Sequence, residues 1–188
     1  MLKQMEEFGK FVGISGFRRV HVGDPRAFVE AARQRLPAGV EVQFFDADLT
    51  ASWRHLYFAA LNALTAIKTK RALSKSLAVE TALYASAQRQ IKRALDVIGV
   101  KPETKNAAVL VLGDSESSVE AGLLSIAKEL RAEPDDSVLD LTPAKAKRIR
   151  SAFDVSETEL KIVTSQGDAA QALVDAVVER VALLSTRL

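Results

Sequence analysis

Residues Ala107 to Leu112 read AAVLVL, six apolar side chains in a row that stop at the turn Gly113-Asp114. A run this short, without polar alternation, predicts a strand buried on both faces. Such a strand needs cover, and the flanking sequence supplies helices to provide it. Downstream, a helix is expected from about Ser117 to Ala132. Upstream, helical patterns dominate about Ser52 to Lys70, Ser76 to Ser86 and Ala87 to Ile98, with Gly99 as the expected C-cap. The fold class that follows is α/β (α+β): a single domain over 1–188 with a small central sheet of three to five strands covered by about seven helices.

Further from the centre, Phe11 to Val22 is rich in β-branched residues and interrupted by Gly13 and Gly16, so it reads as one bent strand or two short ones. Asp24-Pro25 opens a helix, with Asp24 as N-cap and Pro25 at the first helical position, where a missing N–H costs nothing. That helix is expected to run to about Leu36. Val40 to Phe45 alternates and is aromatic, the pattern of a strand. Thr142-Pro143 starts a helix to about Phe153, and Ser156-Glu157-Thr158-Glu159 resembles a capping box. The last helix, about Asp168 to Thr186, carries Leu173, Val174, Val177, Val181 and Leu184 on one face and Val178, Ala182 and Leu183 off it. A helix apolar over so much of its girth is either buried or shared with a partner.

Composition narrows the function. With 188 residues and 48% hydrophobic side chains, the chain can build one real core. No cysteine is present, which excludes disulfides, thiol catalysis and Cys-ligated metal sites. The first ten residues carry Lys3, Glu6, Glu7 and Lys10 and have no apolar signal-peptide region. No stretch approaches the ~20 apolar residues of a membrane-spanning helix. These features lead us to expect a soluble, cytoplasmic protein.

Constellations that carry chemistry are missing. His21 and His55 lie in different elements without a carboxylate partner at ligand or triad spacing, so neither metal nor catalytic residues are expected. Asp46 and Asp48 follow a strand, but Thr50 and Ser52 come next, which favours helix capping over metal binding. Gly9, Gly13 and Gly16 do not fit a dinucleotide fingerprint. The turn Gly113 to Ser117 could seat a phosphate on a helix N-terminus, but its two acids oppose that, and a capped helix start is the better reading. No cofactor or small-molecule substrate is expected.

The helical middle is more specific. From Ala51 to Lys105 ten basic side chains face three acids, a net +7, while the remaining residues carry −5. Such a dipole attracts phosphates, although a merely solvated helical surface has the same composition. Trp53 to Lys70 (WRHLYFAALNALTAIKTK) places Leu56, Ala59, Ala60, Ala63, Leu64 and Ile67 at helical spacing, and small alanines admit a close neighbouring helix. It ends in the basic residues Lys68, Lys70 and Arg71. Ser74-Lys75-Ser76 is a polar turn with Ser76 as N-cap. Leu77 to Ile91 (LAVETALYASAQRQI) then gathers donors at one corner beside the Tyr84 ring, a combination suited to a phosphate and a stacked base.

This pattern resembles the kinase-binding subunit family of the KEOPS (EKC) complex, the TPRKB-like (PRPK-binding protein) family, and looks closest to its archaeal members. The resemblance rests on His55, Ala59 and Ala63, the turn at Ser74, Glu80, Leu83-Tyr84-Ala85-Ser86, Arg89-Gln90-Ile91, Ala94 and Gly99, with Glu179 to Leu184 near the end. It covers nearly the whole chain and is strongest over 53–99. Ala87 departs from it, standing where glycine is expected.

The resemblance implies a non-catalytic protein that binds and stimulates the small atypical kinase/ATPase of the complex. It also implies contact with the 3′ CCA end of tRNA, while another subunit transfers threonylcarbamoyl to the adenosine beside the anticodon. Residues assigned to tRNA on this basis are Lys68, Lys70, Arg71, Lys75, Tyr84, Ser86, Arg89 and Gln90. Arg89 could instead bridge to Glu80 or cap a helix. Tyr84 is either a stacking platform or a half-buried core residue, and Ser86 either a contact or a helix cap. Val177, Val181 and Leu184 are the candidate kinase contacts, unless that face is ordinary core. A stand-alone RNA-binding domain or a small-molecule-binding regulator remains the alternative.

Overall fold

The apolar run is the second strand from one edge of a four-stranded antiparallel sheet. The computed structural model describes residues 1–164 and 168–186. Its strands are β1 (Leu2–Met5), β2 (Lys10–Arg18), β3 (Glu41–Asp46) and β4 (Asn106–Gly113), in the order β1-β2-β4-β3. β4 pairs with β2, Phe11 opposite Gly113 and Arg18 opposite Asn106, and with β3, Glu41 opposite Leu112 and Asp46 opposite Ala107. Eight α-helices accompany the sheet among the described residues. They are α1 (Pro25–Arg33), α2 (Trp53–Lys68), α3 (Leu77–Ser86), α4 (Ile91–Ile98), α5 (Glu116–Leu130), α6 (Pro143–Ala152), α7 (Glu157–Thr164) and α8 (Ala169–Leu183). The α+β single-domain expectation stands.

Side-chain alternation along β4 creates two cores. Ala108, Leu110 and Leu112 join Ile14 and Phe45 in a cluster with α2, α3, α6 and α8. Ala107, Val109 and Val111 join Phe17, Val42 and Phe44 in a second cluster with α1 and α5. The sheet is therefore the middle of three layers, which is why AAVLVL shows no polar alternation.

β2 is one continuous nine-residue strand, and its glycines have a packing role rather than a breaking one. A Cβ on Gly13 would lie 2.7 Å from Val119 of α5, and one on Gly16 would lie 2.6 Å from the Asp135 carbonyl. Removing both Cβ atoms lets neighbouring elements approach the sheet closely. Asp24 caps α1 as expected, accepting from the Ala27 N–H at 2.7 Å, but the helix ends at Arg33, three residues before Leu36. Thr142 accepts from Lys145 N–H at the start of α6. Ser156 caps α7, accepting from Glu159 N–H at 3.1 Å, and the Glu159 carboxylate returns to the Ser156 N–H, so the capping box forms as expected. The Glu159 carboxylate also accepts from Arg180 of α8, at 2.8 and 2.9 Å. Gly99 is the C-cap of α4 as expected, its N–H bonded to the Leu95 carbonyl, but in an extended conformation (φ −69°, ψ 158°) rather than a left-handed one, and it forms an isolated bridge to Phe45 of β3.

Candidate nucleic-acid interface

Two turns carry the basic middle of the chain, and each is fixed from below by polar groups. The α2–α3 turn begins at Lys70, in the left-handed region at φ 59°, where Arg71 N–H returns to the Ala66 carbonyl at 2.8 Å. Glu80, 1% exposed, accepts from the N–H groups of Leu73 and Ser74 at 3.0 and 2.7 Å. Glu41 of β3 accepts from Ser76 Oγ at 2.7 Å and from Ala78 N–H at 3.0 Å. Two carboxylates thus bind the backbone of the turn while Lys70, Arg71 and Lys75 stay exposed.

The α3–α4 corner follows from a second left-handed residue. Ala87 sits at φ 52°, ψ 33°, with its own N–H bonded to the Tyr84 carbonyl and that of Gln88 to the Leu83 carbonyl. This is a Schellman-type ending made without glycine. It shortens the next helix: α4 starts at Ile91, not Ala87, because the chain must turn before it can wind again. Gln90 caps α4 without a side-chain hydrogen bond, so the helix presents its N-terminal N–H groups beside Arg89, Lys92 and Arg93. Open N–H groups together with cationic side chains favour an anion.

Arg89 joins the two turns. It lines a hollow of about 170 Å3 with Arg71, Glu80, Tyr84 and Asn62. It also lines a second hollow of about 290 Å3 with Gln88, Gln90, Arg93 and Leu184. Of the residues expected at the site, Arg71, Arg89 and Gln90 are brought together, Lys70 and Lys75 lie on the adjoining turn, and Arg93 belongs with them. The sequence marks Arg93 as a charge that sums with neighbouring Arg89, and the delayed start of α4 brings it to the hollow.

Tyr84 and Ser86 require correction. Both are buried, Ser86 at 1% exposure, with its hydroxyl donating to the Leu83 carbonyl at 3.0 Å. Burial, with the Glu80 carboxylate beside it, pushes the Tyr84 phenol above its ordinary value. These residues support the corner from within, Tyr84 meeting the outside only where it lines the first hollow. Lys68 is exposed but engaged, its ammonium 2.9 Å from Glu7 and over the Phe8 ring, which ties the end of α2 to the first residues of the chain.

Val177, Val181 and Leu184 are also core. The first two have no exposed surface, and all three pack in the cluster between the sheet and α2. A partner could touch Val177 and Val181 only by unpacking α8, so these two are not surface contacts. Leu184, just after α8, is nearly buried and meets the outside only as part of the lining of the hollows at the Arg89 corner. Among the described residues of α8, the large apolar side chain that is exposed is Leu183.

The remaining polar candidates are structural. His55 has no exposure; its Nδ1 accepts from Ala51 N–H and its Nε2 donates to the Ala85 carbonyl. Burial lowers its pKa to about 4. Asp46 accepts from Asp48 N–H, and Arg148 bridges to Asp48 at 2.6 Å and Asp46 at 3.6 Å. Burial raises the Asp46 pKa and pushes the Lys145 ammonium down to about 8, where it donates to the Val138 carbonyl. This network holds α6 to the end of β3. The Gly113 turn is a capped helix start: Ser115 and Ser118 form a reciprocal capping box, and Asp114 pairs with Lys10.

Comparison with known proteins fits this arrangement. The regulatory protein Cgi121 of Methanocaldococcus jannaschii is 32% identical over 117 residues, which is 62% of this chain and 72% of that protein. A family model described as kinase binding protein CGI-121 matches residues 26–185, from the start of α1 to beyond α8. The chain therefore belongs to the CGI-121 family of kinase-binding proteins.

Proposed function

We propose that this chain is a non-catalytic regulatory subunit of a cytoplasmic KEOPS complex. In this role it binds and stimulates the small atypical kinase/ATPase and helps recruit tRNA through the 3′ CCA end. The complex then installs threonylcarbamoyladenosine beside the anticodon. Kinase binding is supported by family membership. The observation that supports RNA recruitment is the meeting of Arg71, Arg89 and Arg93 around two small hollows at one corner. Hollows rimmed by guanidinium groups suit a single-stranded end, whose phosphates and unpaired base edges are both accessible. A stand-alone RNA-binding domain would use the same corner but have no affinity for the kinase.

The deciding experiment is a titration with tRNA carrying or lacking its terminal CCA. The reading requires markedly tighter binding of the intact tRNA, and equal affinity for both would refute CCA recognition. Co-purification with the KEOPS kinase tests the other half, and no complex at micromolar concentrations would contradict it.

A further inference from the structure

An apolar trough of about 540 Å3 lies between α1 and α4, beside the edge strand β3. Pro25 and Val29 of α1 belong to one wall, and Val79, Leu95 and Val100 to the other. Gln43 and Phe44 form the floor, and that floor is closed to a further strand. Both are buried, the Phe44 carbonyl already accepts from the Gln43 carboxamide at 3.3 Å, and Phe45 is bridged to Gly99. A polypeptide lying here must therefore satisfy its own backbone hydrogen bonds, as a helix does. Leu95 is 40% exposed on the wall, and Ile91, one turn before it on α4, is 44% exposed. Large apolar side chains left uncovered beside a recess mark a contact surface.

The α1 wall carries charges at helical spacing. Arg26, Glu30 and Arg33 all line the trough, and all three are exposed. Arg26 and Arg33 make no hydrogen bond or ion pair among the described residues, and Glu30 is met only by the Gln34 carboxamide, at 3.5 Å. At a rise of about 1.5 Å per residue, Glu30 lies about 6 Å and Arg33 about 10 Å beyond Arg26 on one side of α1. A second helix laid along α1 matches this row with two acids seven residues apart and a base three or four residues after the first. The α1 of a second copy does not match it, because its own arginines would face Arg26 and Arg33.

We propose that this trough receives one amphipathic helix of a partner protein, apolar toward Val29 and Leu95 and bearing an acid–base–acid row against Arg26, Glu30 and Arg33. The trough shares no lining residue with the hollows of the Arg89 corner, and the proposal is independent of the RNA reading.

The test titrates the full chain into two fluorescein-labelled helical peptides, LKKLEQELKKLEQELKKLEQE and LEELKQKLEELKQKLEELKQK, and follows fluorescence anisotropy. The two have the same composition and the same leucine seam. The first carries the acid–base–acid row on both sides of the seam, so either direction of docking is covered, and the second carries its inverse. The first should bind saturably and at least about tenfold more tightly than the second. The triple variant R26E/E30K/R33E changes only exposed side chains and should reverse that preference. Leu95→Asp should weaken the first peptide at least about tenfold by wetting the wall. No saturable binding, equal affinity for the two peptides, a preference that survives R26E/E30K/R33E, or full affinity in Leu95→Asp would each overturn the proposal. So would a dimer of the chain alone, seen by sedimentation, that Leu95→Asp dissociates, since it would give the trough to a second copy.

Discussion

Nε2 of His55 donates to the carbonyl of Ala85 across 2.7 Å, joining the first turn of α2 to the end of α3 immediately before the Ala87 corner. Because Nδ1 accepts from Ala51 N–H, geometry assigns the neutral Nε2–H tautomer, and the ring packs edge-on to Phe153 at 5.4 Å. Burial holds the folded pKa near 4, against an ordinary 6.5. Between these values the unfolded chain binds a proton that the folded chain refuses. The contribution of this group to stability is therefore constant above about pH 7, falls as pH drops through 6.5, and is fully lost below 4, a change of about 3 kcal/mol. Urea midpoints from pH 7.5 to 4 should fall more steeply for the natural chain than for His55→Gln. Parallel curves would show that the imidazole is not held neutral.

Ala87 occupies a left-handed position at φ 52°. An L side chain there costs about 1–2 kcal/mol, and glycine recovers most of it, less the entropy glycine loses on folding. Ala87→Gly should raise stability by about 0.5–1 kcal/mol in chemical denaturation and leave tRNA affinity unchanged. A destabilised variant would mean that the methyl group packs favourably enough to outweigh the backbone strain.

How far the sequence could be read depended on where each element found its partners. AAVLVL was legible because both faces of β4 are covered, and Asp24, Ser76 and Thr142 were legible caps because capping is local. β1 was missed: LKQM is four residues long, has no β-branched side chain, and forms a strand only because β2 is present to pair with it. The sequence leaves Tyr84 and Ser86 open between tRNA contacts and a core residue or helix cap, because Glu80, Thr81 and Ser86 put polar groups along α3 whose partners the sequence does not name. In fact nine of its ten residues are buried, since those polar groups bond to backbone nearby or one turn away. The same limit hid the fate of Lys68, whose partner Glu7 is 61 residues distant.

Glu80 is the residue whose loss should most disturb the basic turn. Removing its carboxylate leaves the N–H groups of Leu73 and Ser74 without acceptors in a partly buried setting. Charge-assisted bonds of this kind are worth about 1.5–3 kcal/mol each, with solvent relaxation recovering part. Glu80→Ala should cost about 2–4 kcal/mol and accelerate amide exchange at both positions. Glu80→Gln, which keeps an acceptor oxygen, should cost about 1 kcal/mol. Unchanged exchange at Leu73 and Ser74 would show that the turn holds itself.

Salt dependence can separate contacting cations from bystanders. Each phosphate contact to a single strand contributes about 0.7 to the slope of log affinity against log salt. Arg71→Ala and Arg93→Ala should each lower that slope by about this amount for intact tRNA, since both side chains line the hollows at the Arg89 corner. Lys68→Ala should leave it within error, because its ammonium is held by Glu7. A larger effect at Lys68 than at Arg71 would move the RNA path toward the N-terminal end of the sheet.

Two neighbouring residues of α8 test how that helix divides between core and surface. Val181 has no exposure and packs in the main core, so Val181→Glu places an unpaired carboxylate there and should unfold the domain or cost more than about 4 kcal/mol. Leu183 is 39% exposed at the edge of a hollow of about 400 Å3 lined also by Phe153, Glu179 and Arg180. Leu183→Glu should leave the melting transition within about 0.5 kcal/mol, as surface substitutions do. If the last helix meets the kinase, it must do so with this outer side, and Leu183→Glu should then lower recovery of the kinase complex at least about tenfold. A folded Leu183→Glu chain that retains the kinase in full would remove α8 from the interface. Loss of the complex in Val181→Glu alone would report only unfolding.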